Sequence, residues 1–535
     1  MRKLLRIFLS GSFPKMSTIF IILLNLASGF LVISANRHLA VLFNDYFMIN
    51  NLFGVALPLL ITLGLFISVF LLGILGTYIH QSLQWGGEAR LKSYLVNKLL
   101  RTETKYFYDK QPADIWSNIN NVTQQVSYFI GILISIFSSI ITLVFHGVVI
   151  FNVDIYAGLL SLLMLPLFII LSQFIGKSLM PLQHEIMSQH RELSVVSQEA
   201  IKGVSNVKAK NAYDFFIARI MKAQAIITKN MVKINTTGRY KQSIVSLIGI
   251  LSPIVILFGA MQISDNLLAD TSNVLILYIN IPIFMGYASV VFSSITEYKR
   301  NLPAITELKN LADLPQENSG SIEIDYFDSL STKNVQVSFG NSKIVKIPDI
   351  TISKGEKVMF FGESGVGKSS LFNILMGFNQ DYSGEIMING IELRQIDLKS
   401  IRKCFGISFQ NLDVLTLTLA DNILLGLSKE DKVLEDVIET TNLNLLLNDK
   451  NDEILRDQTL SGGERSRIGL AGSLIRNTDV LLIDETFSSV DEEMEAYILK
   501  KMNEKYSDKT IICISHRMTS AKYFDRTIDF NIEID

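Results

Sequence analysis

Six segments of this chain, 16–35, 54–79, 129–151, 155–175, 243–263 and 274–296, contain no Asp, Glu, Lys or Arg. A helix needs about 20 apolar residues to cross a bilayer, so each of the six qualifies. The constraint is severe, because a segment in hydrocarbon must satisfy its own backbone hydrogen bonds. The remaining charges show which side each connection occupies. Segments 36–53, 152–154 and 264–273 hold Arg37 as their only Lys or Arg, whereas 80–128 holds Arg90, Lys92, Lys98, Arg101, Lys105 and Lys110. Segment 176–242 is richer still, from Lys177 to Lys241. Arg2, Lys3, Arg6 and Lys15 precede the first segment, and Lys299 and Arg300 follow the last. The positive-inside rule then places both termini in the cytoplasm. The first apolar stretch is longer than the core of a cleavable leader, and further spans follow it, which argues against a signal peptide.

Composition agrees with residence in lipid: 49% of the 535 residues are hydrophobic and the mean hydropathy is +0.33. The formal charge of −2 hides a split, since residues 1–312 carry 25 basic against 14 acidic side chains, a net of +11 that leaves −13 for 313–535. Bases set between long uncharged runs suit anionic lipid headgroups, so no nucleic-acid partner is expected. The two cysteines, Cys404 and Cys513, are too few for a disulfide framework or a metal site. The polar segments 80–128 and 176–242 read as helices that continue the spans beyond the bilayer and turn back. Pro58, Pro166, Pro253 and Pro282 lie inside spans, where each frees a carbonyl that needs a polar neighbour or water. Asn25, His146, Gln173, Gln262 and Asn280 have two readings, polar lining of a wet cavity or hydrogen bonds between packed helices. For His146 the packed reading is preferred.

After Leu314–Gly320, which reads as a hinge, short apolar strands alternate with polar helices, the pattern of an α/β domain. The strand Lys357–Phe361 runs into Gly362, Glu363, Ser364, Gly365, Val366, Gly367, Lys368, Ser369 and Ser370, and a helix begins there. Glycines let successive N–H groups close on phosphate oxygens at a helix N-terminus, Lys368 reaches the β/γ-phosphates, and Ser369 ligates Mg²⁺. Val480–Ile483 is a buried-strand pattern ending in Asp484 and Glu485. Beside a phosphate loop, Asp484 holds Mg²⁺ through water and Glu485 acts as general base toward the attacking water. Without that loop, the pair would read as a strand ending in solvated acids.

With these motifs the chain resembles the ATP-binding cassette family. Leu460-Ser461-Gly462-Gly463-Glu464 is similar to the family signature, and the resemblance implies that Ser461 and the Gly463 backbone bind the γ-phosphate held by an opposite subunit. It also implies that Gln410 touches Mg²⁺, that Asp491 lies in a dimer-contact loop, and that His516 contacts the γ-phosphate. Phe339 stands where an aromatic stacks on adenine, with a place in the strand core as the competing reading. Phe107–Pro112 looks like the segment preceding the first coupling helix of such exporters, and Lys208–Asp214 is a candidate for the second. Two stretches depart from the pattern: Asp452–Gln458, just before the signature, and Thr486, where Pro or Ala is common. No cysteine-peptidase segment is read ahead of the first span.

The resulting expectation is a multi-domain chain. An all-α six-helix transmembrane domain of the exporter type occupies 1–312, a linker 313–330, and an α/β P-loop NTPase domain 331–535. Its expected work is ATP hydrolysis with Mg²⁺, driving export of an amphipathic peptide, lipid or drug-like molecule by alternating access. The alternatives are import of a metal chelate and an ATP-gated regulator or pore. Its expected partners are the lipid bilayer and a second copy of itself, with pairing to a different subunit as the alternative. The resemblance implies a bacterial inner (cytoplasmic) membrane.

Overall fold

The computed structural model describes residues 14–48, 52–108, 110–263, 271–339, 343–410, 412–428, 430–450, 453–456 and 459–531. It forms two compact units, Met1–Leu100 with Pro112–Leu314, and Arg101–Gln111 with Pro315–Asp535.

The first unit is helical: α1 (Pro14–Met48), α2 (Leu52–Leu99), α3 (Pro112–Val153), α4 (Ile155–Lys202), the short α5 (Val204–Ala209), α6 (Tyr213–Ile263) and α7 (Thr271–Ala312). Each of the six long helices carries one charge-free segment. At 1.5 Å per residue the 48 residues of α2 extend roughly 72 Å, far more than a bilayer core. Four helices contain apolar windows long enough to span, Ile19–Leu39, Ala56–Leu99, Asp114–Val153 and Ser272–Ile295. Among the described residues of α4 and α6 the apolar runs are shorter, Ile155–Pro166 and Gly249–Ile263. The tight return from α3 to α4 works because the Asp154 carboxylate caps α4, accepting from the Ala157 N–H at 2.8 Å.

Small and apolar residues hold these helices together, with Ile150, Ala157, Ile256, Ala260, Leu277 and Met285 in one buried cluster. Pro253 cannot donate to the Gly249 carbonyl, and the Ser252 hydroxyl takes that acceptor instead at 3.1 Å. His146 and Asn280 are both almost fully buried, with His146 Nδ1 2.7 Å from Asn280 Oδ1, so they join α3 to α7 and do not line a cavity. Asn25 likewise donates to the Ser138 hydroxyl at 3.0 Å. Gln262 is exposed, and the Gln173 side chain lies outside the described residues.

The second unit has two sheets. β1 (Ser329–Phe339), β2 (Lys343–Ile347), β3 (Thr351–Ser353), β5 (Tyr382–Ile388) and β6 (Ile391–Glu392) form an antiparallel sheet in which β1 pairs with β2, β3 and β5. β4 (Lys357–Phe361), β7 (Phe405–Ser408), β8 (Val480–Asp484), β9 (Thr510–Ile514) and β10 (Arg526–Asp529) form a parallel sheet in the order β10-β4-β9-β8-β7. Its helices are α8 (Lys368–Leu375), α9 (Leu398–Cys404), α10 (Leu419–Leu424), α11 (Asp431–Thr440), α12 (Asn444–Lys450), α13 (Gly462–Leu474) and α14 (Glu492–Lys505). The near-continuous apolar runs of β8 and β9 follow from burial on both faces. Val480, Leu482, Ile512 and Ile514 enter one core with Phe360 and Phe372, while Leu481, Ile483, Ile511 and Cys513 enter another with Leu470 and Ile498. Full burial of each such side chain contributes about 1.5–3 kcal/mol.

The division between the two units falls at Leu314/Pro315, inside the stretch read as a hinge. From Pro315 on, that stretch is bonded within the second unit: Gln316 bridges Thr102, and the Gly320 N–H donates to the Ile396 carbonyl at 3.1 Å. A Cβ at Gly320 would stand 2.0 Å from the Gln395 backbone carbon, so this close approach requires glycine. A single 3₁₀ turn at Thr104–Phe107 lies ahead of Pro112, which opens α3, so no short helix follows Phe107–Pro112. Lys208–Asp214 falls at the end of α5 and the start of α6.

Candidate active site

The parallel sheet delivers its chemistry at the carboxyl ends of neighbouring strands, the position at which open α/β sheets bind ligands. β4 ends at the phosphate loop, β8 at Asp484 and Glu485, β9 just before His516, and β7 just before Gln410. Glu363, Ser364 and Gly365 are exposed on the loop. Gly367 closes it at φ +109°, in the left-handed region, and a Cβ there would come within 2.5 Å of Val345 Cγ1. Val366 packs against the core, and Ser370 sits in the first turn of α8.

Lys368 is 4% exposed and its ammonium donates to the Gly362 and Glu363 carbonyls, each at 2.7 Å. Burial holds its pKa below the usual lysine value, opposed by Glu485, Asp484 and Asp529. A desolvated ammonium resting on two carbonyls readily exchanges those acceptors for charged phosphate oxygens. Ser369 donates to Asp484 Oδ1 at 2.8 Å. Burial raises the Asp484 pKa, partly offset by that hydrogen bond. Glu485 adopts φ +46°, which turns its carboxylate across the strand ends. Gln410 Nε2 donates to Oε2 at 2.6 Å, and His516 Nε2 lies 2.8 Å from Oε1. Phosphate loop, acid pair, glutamine and histidine therefore meet in one place.

The donor set suits Mg²⁺. Among the described residues no group of three His, Cys, Asp or Glu could hold a metal alone. A hydroxyl, a carboxylate and an amide beside a phosphate loop instead match a cation bound through one carboxylate and substrate phosphates.

Ser461 caps α13 in a capping box, accepting from the Glu464 N–H while the Glu464 carboxylate accepts from the Ser461 N–H at 2.7 Å. Gly462 and Gly463 pack against Ser489, where a Cβ would come within 3.2 and 3.1 Å. Asp491 caps α14, accepting from the Met494 N–H at 2.8 Å. Phe339 ends β1, and its side chain lies outside the described residues, as do Asp452, Asp457 and Gln458 of the divergent stretch.

Three further residues support the site: Thr486, noted in the sequence only as a departure from the family pattern, and Asn531 and Arg517, which no motif singled out. Thr486 is 1% exposed and its hydroxyl engages the Ser408 carbonyl and hydroxyl, tying the turn after Glu485 to the end of β7. A proline or alanine could not make that tie. The Asn531 amide oxygen accepts from the Glu363 N–H at 2.7 Å. Arg517 pairs with the buried Glu495 at 2.7 Å and donates to the Val490 carbonyl, joining the segment after β9 to the Asp491 turn. Their signal in sequence is faint, because each depends on a residue distant along the chain.

Residues 18–287 match the ABC transporter transmembrane region, half of the chain, and residues 345–488 match the ABC transporter family. The chain belongs to the ABC transporters. This ABC transporter is an integral membrane protein and an ATPase coupled to transport, with one transmembrane and one nucleotide-binding region. It is 27% identical to a lactococcin-A transport/processing ATP-binding protein of Lactococcus lactis, over 90% of this chain and 69% of that one. It is 25% identical to an ATP-dependent lipid A-core flippase of Francisella tularensis, over 89% and 79%. Its fold matches a bacterial Atm1-family ABC exporter with ATP bound, at TM-score 0.81 and 18% identity, over 97% of this chain and 94% of that chain.

Proposed function

We propose that this ABC transporter exports an amphipathic cargo across a bacterial inner membrane, by alternating access, as a homodimer with two composite ATP sites and both termini cytoplasmic. The observation that carries the chemistry is the Glu485 carboxylate, held at once by Gln410 and His516 beside the Ser369–Asp484 pair. In this reading Glu485 polarises the attacking water, His516 and Lys368 meet the γ-phosphate, and the Gly362–Ser370 backbone wraps the phosphate chain. Ser369, Gln410 and, through water, Asp484 would hold Mg²⁺, which would supply positive charge at the phosphate oxygens. Ser461 and the Gly463 backbone serve the ATP of a second copy, Asp491 lies in the contact between copies, and Phe339 stacks on adenine. The charge-free spans favour an amphipathic cargo, because a strongly charged one would be buried without partners. Relatives named for lactococcin-A transport and for lipid A-core flipping support that reading.

Direction is the decisive test. The protein is reconstituted in inside-out vesicles with a fluorescent phospholipid or an amphipathic cationic peptide. Export predicts ATP-dependent accumulation of one of these against its gradient, absent in Glu485→Gln. Emptying of preloaded vesicles would mean import, and simple equilibration would mean a gated pore.

A further inference from the structure

Two stretches far apart in sequence lie side by side within the ATPase unit. Thr102 pairs antiparallel with Gln316, the Glu103 N–H donates to the Pro315 carbonyl at 3.3 Å, and the Glu317 N–H donates to the Arg101 carbonyl at 3.0 Å. The Gln316 amide adds a bond to the Thr102 hydroxyl at 3.3 Å, and Thr102 is buried. Each stretch is covalently the next piece of chain after a span-bearing helix, since α2 ends at Leu99 and α7 at Ala312. Within the helical unit Lys98 donates to the Ala312 carbonyl, so those two helix ends are themselves joined.

Arg402 grips this clasp. Its fork donates to both oxygens of Glu317, at 2.8 Å each, with both side chains mostly buried. Its third donor, Nε, reaches the Met376 carbonyl at 3.1 Å, and its guanidinium lies 5.4 Å from the Phe378 ring. Met376 is the cap residue of α8, the helix that Lys368 opens. One guanidinium therefore touches the far end of the phosphate-loop helix on one side and the clasp on the other. A planar, bidentate arginine is directional in a way an ammonium is not. The only other ion pair from the clasp segment among the described residues, Lys105 with Asp381, is well exposed and weak by comparison.

We infer that Arg402 and Glu317 are positioning residues that couple the phosphate loop to the spans. A shift of α8 on nucleotide binding is passed through Arg402 to Glu317, and from there to both chain entries into the helical unit. This rests on the transport reading above and adds a route for its coupling.

The test uses the full chain in lipid nanodiscs, with Cys404 and Cys513 replaced by Ala and one spin label at Asn152→Cys, an exposed position in the last turn of α3. Label-to-label distances are measured with and without ATP in a Glu485→Gln background, and ATPase turnover is measured with Glu485 intact. The variants are Arg402→Lys, which keeps the charge but loses the fork, and Glu317→Gln. Coupling predicts ATPase within about threefold of the parent in both variants, with the ATP-driven distance change reduced by at least about half. A parent-like distance change in both variants overturns the inference alone. Loss of ATPase in parallel with the distance change also overturns it, since that marks a merely structural pair. A parent with no ATP-driven change sinks the transport reading, and the inference with it.

Discussion

Glu485 shows what a backbone conformation does for a side chain. Left-handed φ is uncommon for a residue with a Cβ and is sustained only by surrounding bonds. Here the Thr486 hydroxyl fastens the next residue to Ser408, while Gln410 and His516 occupy the two carboxylate oxygens. Glu485→Gln preserves the size and most of the hydrogen-bonding capacity of the side chain but removes the base. Turnover should fall at least about 10²-fold with ATP still bound, read as retained nucleotide in single-turnover experiments. Near-normal hydrolysis would refute the role. Lys368→Ala should act differently, by weakening nucleotide binding itself, measurable with labelled ATP. The ammonium has already left water, and its two hydrogen bonds go to loop carbonyls that phosphate oxygens can displace.

Among the elements, α13 begins with a reciprocal cap. Glu464→Ala breaks one half of the box and should lower thermal stability by about 0.5–2 kcal/mol, whereas Glu464→Gln, which also accepts from the Ser461 N–H, should recover most of it. Equal losses in both variants would mean that charge, and not capping, is what matters there. The long helices carry a second prediction, on sidedness. In a chain lacking Cys404 and Cys513, cysteines at Asp45, Asp265 or Asp270 should react with an impermeant thiol reagent outside intact cells. Cysteines at Lys110 and Lys210 should stay unlabelled, and labelling of Lys110 from outside would invert the topology.

At the scale of the whole molecule, the proposed homodimer pairs the phosphate loop of each copy with the signature segment of the other, an arrangement with symmetric closure. Lys368→Ala and Ser461→Arg should each abolish trapping alone, while mixed dimers hold one site with both defects and one with neither. Trapping restored only in the mixture supports shared sites; failure in proven mixed dimers would place the site within one chain or require both sites intact. By itself the sequence determined the membrane class, the six long helices, the ATPase fold and the positions of Lys368, Asp484 and Glu485. Absence of charge over a bilayer's width and a glycine-rich loop after an apolar strand are local patterns with few physical solutions. Only the tertiary structure decided that His146 and Asn280 satisfy each other and that Thr486 anchors the acid pair. It alone showed that the stretch read as a hinge is clasped to Thr102 and gripped by Arg402. Each of those is a pairing across a long sequence separation, and hydrogen-bond geometry between distant residues leaves no periodic trace in a single chain.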